Sequence, residues 1–488
     1  MLLEINELNK SYGDRQVVSL KKLCLYTGDH VAVVGRNGAG KTTLLRMITG
    51  EETPDSGRIQ LHGRLAVIPQ LGELETVQFD RRVAAKLGVD CASAFSGGER
   101  TKALIAAAMA QQPDLLLADE PTTNLDIAGI MQLESLLKRF DGALLLISHD
   151  RMLLEAVCNK VLEVEQGVFT LYSCGYREYA AQKQLEYQTQ QSRYEAYTTE
   201  RDRLKQVARE KAQQSAGVSR TPKRMGNSEA RLHKMGGQGA KQKLDRAAKA
   251  MQSRLEQLEK VEKPWEYKPI SFDIRPAAVH SPVIVSLRDG SKTYGDKIVL
   301  QGCSFDVPNH KRTVLIGPNG AGKSTLMEMI VQHEEGVEVC AGFKPGYYRQ
   351  DAAGVDVRKT VLQNAMENAV YDETFVRTVL ARLLFRRDEV SKTAGVLSGG
   401  ERLKLALACI ILSDFNLLML DEPTNFLDIE SRQALEDVLR AYPGAVLLTS
   451  HDRAFIEAVA DRIVLIKDGQ ARTFEGGWGE YAQRSVKS

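Results

Sequence analysis

The stretch GRNGAGKT at residues 35–42 decides the fold, and it recurs as GPNGAGKS at residues 317–324. Each copy follows a short apolar run, at residues 31–34 and 314–316, that we interpret as a buried strand, and each precedes a predicted helix. Glycines at this spacing allow backbone N–H groups to surround phosphate oxygens at a helix N-terminus, and the lysine reaches the same phosphates. The two copies therefore predict two nucleotide-binding sites in one chain.

Other motifs repeat in the same order. SGGER at residues 96–100 returns at residues 398–402, DEPT returns at residues 421–424, and SHDR returns at residues 450–453. The offset between the copies grows from 280 residues before SGGER to 302 residues from SGGER onward, so the second copy carries 22 additional residues in one surface segment. A repeat of this length indicates duplicated domains. Apolar strands alternating with helices in each copy predict an α/β fold with a mainly parallel sheet.

Each copy also carries an Asp-Glu pair at the end of an apolar run. The aspartate is expected to hold Mg²⁺ together with the hydroxyl group that follows the loop lysine, and the glutamate is expected to polarise the attacking water. A histidine about thirty residues further on is expected to contact the γ-phosphate. The residues concerned are Thr42, Asp119, Ser324 and Asp421 for Mg²⁺ and Glu120, His149, Glu422 and His451 for catalysis.

The segment SGGE, present in both copies, resembles the signature of ABC-type ATPases, which other P-loop enzymes lack. The resemblance covers both halves of the chain. It implies that Gln70 and Gln350 contact Mg²⁺ and water, and that Tyr12 and Tyr294 stack on adenine. A half-buried ring at a strand end is the alternative for the two tyrosines.

The same resemblance implies that the two halves pair head to tail. Each nucleotide then lies between the phosphate-binding loop of one copy and the SGGE segment of the other, where a predicted helix start favours an anion. The residues expected to bind ATP are Tyr12, Gly35, Asn37, Gly38, Gly40, Lys41, Thr42, Thr43, Gln70, Ser96, Gly97 and Gly98 in the first copy, and Tyr294, Gly317, Asn319, Gly320, Gly322, Lys323, Ser324, Thr325, Gln350, Ser398, Gly399 and Gly400 in the second.

A basic linker, residues 181–263, separates the halves, which we place at residues 1–180 and 264–488. It holds 19 Lys and Arg against 10 Asp and Glu, a net charge of +9 that leaves −7 for the rest of the chain. Apolar residues seven apart predict two helices packed as an antiparallel coiled-coil hairpin, and glycines with one proline predict a tip loop around residues 215–240. The heptad residues are Tyr187, Tyr194, Tyr197, Leu204, Leu244, Met251 and Leu258, and the expected helix breakers are Gly217, Pro222, Gly226, Gly236, Gly237 and Gly239.

The tip is basic as well as glycine-rich, which suits a phosphate-lined RNA surface. The alternative is a solvated helical spacer whose charges serve solubility alone. The tip residues that we expect to approach RNA or a drug site are Arg224, Met225, Arg231, Leu232, His233 and Lys234.

Two ATPase halves, a linker of about eighty residues and the lack of any apolar run near the ~18 residues that span a bilayer resemble the ABC-F family. The resemblance implies a monomer whose two halves pair within one chain, without a transmembrane partner. Its partner is then the 70S ribosome, where the linker enters near the tRNA exit site and extends towards the peptidyl-transferase centre, its rRNA and the P-site tRNA.

The subfamily is predicted from a missing segment. Only 25 residues separate Gln70 from Ser96, too few for the additional arm of the family's housekeeping factors. The chain is therefore similar to the antibiotic-resistance branch, whose members relieve drug-stalled translation. Three alternatives are the ATPase subunit of a membrane transporter, a DNA-repair ATPase, and a general translation factor without drug selectivity. The DNA-repair class is disfavoured because zinc modules and very long coiled coils are absent from the sequence.

The seven cysteines are scattered and contain no CxxC pair. This pattern argues against disulfide bonds or a zinc site and favours the reducing cytoplasm. The first residues also lack the basic and apolar segments of a signal peptide. We therefore expect a cytoplasmic protein whose cofactors are ATP and Mg²⁺.

Overall fold

The computed structural model describes residues 1–69, 97–218, 227–261, 279–349, 354–383, 385, 389–425 and 427–485. The chain divides into two compact units, one combining Met1–Arg177 with Pro269–Ser488 and the other formed by Glu178–Lys268. The first unit contains both copies of the repeat, and the second contains the linker. In the described residues, no helix combines the length and apolar character needed to cross a bilayer.

The first copy alternates strands and helices as the apolar runs predict. Its described elements are β1 (Leu3–Tyr12), β2 (Arg15–Leu25), β3 (His30–Gly35), α1 (Lys41–Thr49), β4 (Ser56–Leu61), β5 (Leu65–Ile68), α2 (Gly97–Ala110), β6 (Leu115–Asp119), α3 (Ile127–Lys138), β7 (Ala143–Ile147), α4 (Arg151–Val157), β8 (Lys160–Glu165) and β9 (Val168–Tyr172). The linker follows with α5 (Tyr176–Val218) and α6 (Asn227–Gln257).

The second copy repeats this order, and its described residues include helices before the SGGE segment. Its described elements are β10 (Val283–Tyr294), β11 (Lys297–Pro308), β12 (Arg312–Ile316), α7 (Lys323–Gln332), β13 (Val337–Val339), β14 (Pro345–Tyr348), α8 (Val361–Glu367), α9 (Glu373–Arg382), α10 (Gly399–Ile411), β15 (Leu417–Leu420), α11 (Ile429–Ala441), β16 (Ala445–Thr449), α12 (Arg453–Val459), β17 (Arg462–Lys467), β18 (Gln470–Glu475) and α13 (Trp478–Ser485). Two short 3-10 turns, Glu389–Ser391 and Ala394–Val396, precede α10.

The sheets of the two copies share one strand order. The first copy forms a nine-stranded sheet, β4-β1-β2-β9-β8-β3-β7-β6-β5. In the second copy the equivalent strands form a six-stranded sheet, β14-β15-β16-β12-β17-β18, and a three-stranded sheet, β11-β10-β13. The central strands β5, β6, β7, β3 and β8 are parallel, whereas β1, β2 and β4 pair antiparallel. The predicted α/β class is confirmed.

The central parallel strands determine where the functional residues meet. Strands β6 and β7 are buried along their whole length, and β3 is buried up to its last residue, as continuous apolar sequence on both faces of a covered sheet requires. Because β3, β6 and β7 are parallel and adjacent, their carboxyl ends lie at one edge of the sheet. The phosphate-binding loop follows β3, the Asp-Glu pair ends β6, and the SHDR segment follows β7. Ligands bind at this edge in open α/β sheets.

The linker forms an antiparallel pair of helices. Ser215 Oγ on α5 donates a hydrogen bond to Asp245 Oδ1 on α6 at 2.5 Å. Earlier residues of α5, from Leu185 to Ala196, share a groove with Glu259, Lys260 and Val261, which follow α6. Contacts that move backwards along one helix as they move forwards along the other define antiparallel packing. Leu204, only 3% exposed, lies at one of the predicted heptad positions.

The predicted tip loop is wrong over most of its length. Helix α5 continues to Val218, and α6 begins at Asn227 and runs through Gly236, Gly237 and Gly239. Each glycine costs a helix about 1 kcal/mol relative to alanine, but the long-chain polar residues and alanines of α6 favour the helix and the segment contains no proline. Several predicted tip features, Gly226, Pro222, Arg224 and Met225, lie outside the described residues. Helix α6 contains Arg231, Leu232, His233 and Lys234, whose side chains the structure does not describe.

Replacing Leu146 by alanine tests the packing of the central sheet. Leu146 is fully buried in β7, so we expect Leu146→Ala to lower the free energy of unfolding by about 2–5 kcal/mol through lost burial and a residual cavity. Urea denaturation followed by circular dichroism measures the change. Leu185→Ala is the matched control, since Leu185 is 64% exposed on α5. A similar loss of stability in both variants would contradict the buried position of Leu146.

Candidate active site

The two phosphate-binding loops have the geometry that their sequences predict. Gly40 and Gly322 precede α1 and α7 with φ of 109° and 94°, a region that favours glycine. A Cβ atom at Gly40 would lie 2.4 Å from the carbonyl oxygen of Val17. A side chain is therefore excluded where the loop enters the helix, and the first backbone N–H groups of α1 and α7 remain directed into the loops.

Each loop encloses a lysine ammonium group. Lys41 Nζ donates hydrogen bonds to the carbonyl oxygens of Gly35 at 2.6 Å and of Arg36 at 3.0 Å. Lys323 Nζ makes the equivalent bonds to Gly317 and Pro318. Burial lowers the pKa of both lysines, opposed by nearby carboxylates that include Glu120 and Glu422. The loops thus concentrate positive charge and N–H donors where an anion would bind.

The Asp-Glu pairs lie at the predicted strand ends and carry backbone strain. Glu120 and Glu422 adopt φ of 48° and 47°, in the left-handed region that non-glycine residues rarely occupy. Burial raises the pKa of each glutamate to about 7, although the charges of nearby Lys41 and Lys323 oppose the rise. Burial also raises the pKa of Asp119. The fold therefore holds two carboxyl groups with pKa values near neutral pH.

A neutral histidine accompanies each glutamate. His149 Nε2 lies 3.4 Å from Glu120 Oε1, and His451 Nε2 lies 3.3 Å from Glu422 Oε1. Burial lowers the pKa of His149 well below its ordinary value and lowers that of His451 to about 3. Within the described residues, Oε1 of each glutamate and Nδ1 of each histidine are buried without a hydrogen-bond partner. Buried polar atoms without a partner are rare in folded proteins, and a bound ligand or water would satisfy these four.

The described residues suit a magnesium ion beside each loop. Asp119 forms a side-chain hydrogen bond with Thr42, the first hydroxyl residue after the loop lysine. In the second copy, Asp421 Oδ1 accepts a hydrogen bond from Thr449 Oγ1 at 2.7 Å, and Ser324 follows Lys323 in the first turn of α7. Carboxylate and hydroxyl oxygens are hard ligands that fit Mg²⁺, which takes its other ligands from phosphate and water. Gln70 and Gln350 lie outside the described residues.

The predicted signature residues of the second copy face the loop of the first. One cleft of about 1190 Å³ is lined by Lys41, Glu120 and His149 together with Ser398, Gly399 and Gly400. Ser398 is the N-cap of α10, so the first N–H groups of that helix lie beside the cleft. We call this constellation site 1.

The signature of the first copy lies against the loop of the second, and we call this constellation, with Lys323, Glu422 and His451, site 2. A Cβ atom at Gly98 would lie 2.8 Å from Asn319 Nδ2. The same amide donates a hydrogen bond to the carbonyl oxygen of Asn124 at 2.6 Å. Gly97 begins α2, and Ser96 lies outside the described residues. The structure thus has the head-to-tail arrangement that the resemblance implies.

The remaining predicted nucleotide contacts lie around the loops. Tyr12 and Tyr294 end β1 and β10, and each ring is 52% exposed, with Tyr12 lining the cleft. Tyr12 Oη donates a hydrogen bond to Glu52. These rings are accessible for stacking. Asn37, Gly38 and Gly320 are exposed at the loop tips, and Thr43 and Thr325 follow in the first turns of α1 and α7.

Two ion pairs between the copies were not predicted from the sequence. Arg151 Nη2 lies 2.6 Å from Glu436 Oε1, and Arg453 Nη1 lies 2.8 Å from Glu134 Oε2. These pairs are equivalent, because both the arginines and the glutamates are separated by the 302-residue offset. The sequence signal for these ion pairs is the presence of the same arginine and the same glutamate at equivalent positions in both copies.

A family model described as "ABC transporter" matches residues 18–83, 67–123 and 300–425, once per copy and in two overlapping parts in the first. Together with the paired loops, acidic strand ends and signatures, this match defines the class as a tandem ABC-type ATPase. A crystal structure of an archaeal ribosome recycling factor in complex with a ribosomal stalk protein shares the fold, with a TM-score of 0.66 over 99% of this chain and 92% of that chain at 19% identity.

Three curated relatives are similar over nearly the whole chain. The erythromycin resistance ATP-binding protein MsrA of Staphylococcus epidermidis is 33% identical, covering 94% of this chain and 96% of that protein. The energy-dependent translational throttle protein EttA of Mycobacterium tuberculosis is 30% identical over 99% and 95%, respectively. The ribosome protection protein VmlR of Bacillus subtilis is 28% identical over 96% and 87%. The chain belongs to the ABC-F family of ATPases.

Replacing Glu422 by glutamine tests the burial of the carboxyl group. Its pKa of about 7 in the folded protein exceeds the ordinary 4.5, so its protonation stabilises the fold at low pH and that contribution is lost as pH rises through 7. Relative to the wild type, Glu422→Gln should gain about 3 kcal/mol of stability between pH 5 and pH 8. Thermal unfolding with EDTA and without nucleotide measures the difference.

Two further variants control this measurement. Glu120→Gln should behave as Glu422→Gln does, because the pKa of Glu120 is also about 7. Glu51→Gln removes an exposed carboxyl group and is the surface control. If Glu51→Gln and Glu422→Gln gave the same pH dependence, the burial argument would fail.

Proposed function

We propose that Glu120 and Glu422 polarise the attacking water in ATP hydrolysis and that His149 and His451 contact the γ-phosphate beside it. These roles are supported by one observation: each buried carboxyl group is paired with a neutral imidazole at the edge of the cleft. In the reaction the water oxygen bonds to the γ-phosphorus, the bond to the β,γ-bridging oxygen breaks, and the water's proton passes to the carboxylate. A pKa near neutral pH suits a group that accepts this proton and later releases it.

The other predicted residues bind and orient the nucleotide. Lys41 and Lys323 bind the β- and γ-phosphates within loops of N–H donors. The proposed ligands of Mg²⁺ are Thr42, Gln70 and Asp119 in site 1 and Ser324, Gln350 and Asp421 in site 2. When bound, Mg²⁺ supplies positive charge to the β- and γ-phosphate oxygens. The signature residues of the opposite copy bind the same γ-phosphate, so ATP joins the two halves and its hydrolysis releases them.

We propose the ribosome as the partner of the linker, which we place at residues 181–263 between the ATPase domains of residues 1–180 and 264–488. Its net charge of +9 suits a phosphate-lined surface, and its two helices form a long basic hairpin. Two relatives carry ribosome protection or translational throttle in their names. The hairpin then enters the 70S ribosome near the tRNA exit site and extends to the rRNA of the peptidyl-transferase centre and the P-site tRNA. The protein acts in the cytoplasm as a monomer.

The biological role that we favour is relief of antibiotic-stalled translation. The alignment with the erythromycin resistance protein spans 472 residues, whereas that with the translational throttle protein spans 559, more than this chain possesses. The throttle protein therefore has segments that this chain lacks, in keeping with only 25 residues between Gln70 and Ser96. A general translation factor is the alternative, and the 30% identity to the throttle protein favours it.

Co-sedimentation tests the proposed partner. In the double variant Glu120→Gln and Glu422→Gln, the amides keep the size of the carboxyl groups but are poor bases, so the ATP-closed form persists. We expect this variant with ATP to sediment in stoichiometric amounts with 70S ribosomes. The same protein without nucleotide, and a Lys41→Ala and Lys323→Ala protein with ATP, are the controls. Sedimentation no greater than in these controls would overturn the ribosomal assignment.

Drug susceptibility tests the proposed role. Expression of the wild type in a susceptible bacterium should raise the minimal inhibitory concentration of erythromycin or of another ribosome-directed drug severalfold. Arg231→Glu with Lys234→Glu should abolish this protection, because charge reversal on α6 opposes approach to rRNA. Lys205→Glu with Arg209→Glu on α5 is the matched reversal and should retain it. A wild type without effect across the drug panel would support the general translation factor.

A further inference from the structure

The two ATP sites are built from equivalent elements, but their surroundings differ at several pairs of equivalent positions. With the 302-residue offset, Ile130 corresponds to Arg432, Ala128 to Glu430 and Ile147 to Thr449. The first two pairs lie in α3 and α11, the helices whose N-caps Asp126 and Asp428 follow the acidic strand ends. The third pair ends β7 and β16, immediately before the SHDR segments.

Arg432 connects the second copy to the catalytic histidine of site 1. Its guanidinium is fixed within its own domain by Asp452 Oδ2 at 2.7 Å and the carbonyl oxygen of Leu427 at 3.0 Å. Nη1 also donates across the interface to the carbonyl oxygen of His149 at 3.1 Å. Arg432 lines the cleft between the domains, together with His149 of site 1 and with His451 and Asp452. The backbone that carries His149 is therefore held by a residue of the opposite domain.

Site 2 cannot make this contact. The equivalent residue is Ile130, which is buried and whose side chain has no hydrogen-bond donor. The acidic pair of site 2 is instead fixed within its own domain. Thr449 Oγ1 accepts a hydrogen bond from the backbone N–H of Glu422 at 2.8 Å and donates one to Asp421 Oδ1 at 2.7 Å. In site 1 the equivalent Ile147 has no hydroxyl group, and the backbone N–H of Glu120 donates to the carbonyl oxygen of Ile147 at 2.9 Å instead.

A second contact between the domains is also present at site 1 and cannot form at site 2. Arg36, in the first phosphate-binding loop, donates from Nε to Glu430 Oε2 at 2.7 Å across the interface. The equivalent residues are Pro318 and Ala128, whose side chains cannot form an ion pair. Two contacts from α11, at Glu430 and Arg432, thus join the second domain to the loop and to the histidine of site 1.

We infer that Arg432 is a positioning residue for ATP hydrolysis at site 1, where it holds the backbone of His149 from the opposite domain, whereas in site 2 Thr449 holds the acidic pair from within its own domain. The inference rests on the proposed roles of Glu120 and His149. Arg432 acts through the backbone of His149, and small displacements of a reacting group have large effects on rate.

Single-turnover hydrolysis separates the two sites. Glu422→Gln leaves site 1 competent and Glu120→Gln leaves site 2 competent, and rapid quenching measures one round of phosphate formation from each without requiring the halves to reopen. In the first background, Arg432→Ile should slow the single turnover by about tenfold. In the second background it should slow the rate less, because Arg432 reaches site 2 only through its ion pair with Asp452, which follows His451. Arg432→Lys, which retains a donor and a charge, should recover part of the rate at site 1.

Thr449→Val is the reciprocal variant and should slow site 2 while leaving site 1 unchanged. Nucleotide affinity, measured with a fluorescent ATP analogue, should be unchanged at both sites, because the two residues position reacting groups rather than bind phosphate. Equal slowing of both sites by Arg432→Ile, or no slowing at site 1, would overturn the inference. If neither single-glutamine background hydrolysed ATP at its intact site while the wild type did, the proposed roles of the glutamates would fail separately.

Discussion

The ATP sites depend on one constraint, the burial of the Glu120 and Glu422 carboxyl groups away from water. Each glutamate adopts a left-handed conformation at the end of a fully buried strand. The same burial keeps both neighbouring histidines neutral and lowers the pKa of the loop lysines. In water these glutamate, histidine and lysine side chains would have ordinary pKa values. Burial shifts those pKa values to a range suited to phosphoryl transfer.

The parallel sheet makes this burial possible because it brings distant sequence segments to one edge. Strands β3, β6 and β7 are adjacent although the loop lysine and the histidine are far apart in the chain. The opposite domain completes each site by providing the start of a helix, α10 for site 1 and α2 for site 2. Catalysis therefore requires two levels of assembly, the folding of each sheet and the apposition of the two domains.

Local features were predictable from the sequence. The loops, the acidic strand ends and the central strands all follow from short-range patterns, because glycine spacing and unbroken apolar runs have few structural solutions. The head-to-tail arrangement came only from family resemblance. Contacts such as Arg36 with Glu430 could not be predicted, since nothing local links residues almost four hundred positions apart. The predicted tip loop was wrong because the glycines of α6 were interpreted as helix breakers. Whether glycine breaks a helix also depends on the residues around it.

The divergence between Arg36 and Pro318, and between Ala128 and Glu430, also determines which surfaces can associate. Two first domains facing each other would place Arg36 opposite Ala128, and two second domains would leave Glu430 opposite Pro318, a carboxylate without its cation. The shared pairs of Arg151 with Glu436 and Arg453 with Glu134 would form in any combination. Each half is thus complementary to the other half rather than to itself. The duplicated chain has in this way acquired a preference for pairing two unlike halves over pairing two like halves of neighbouring molecules.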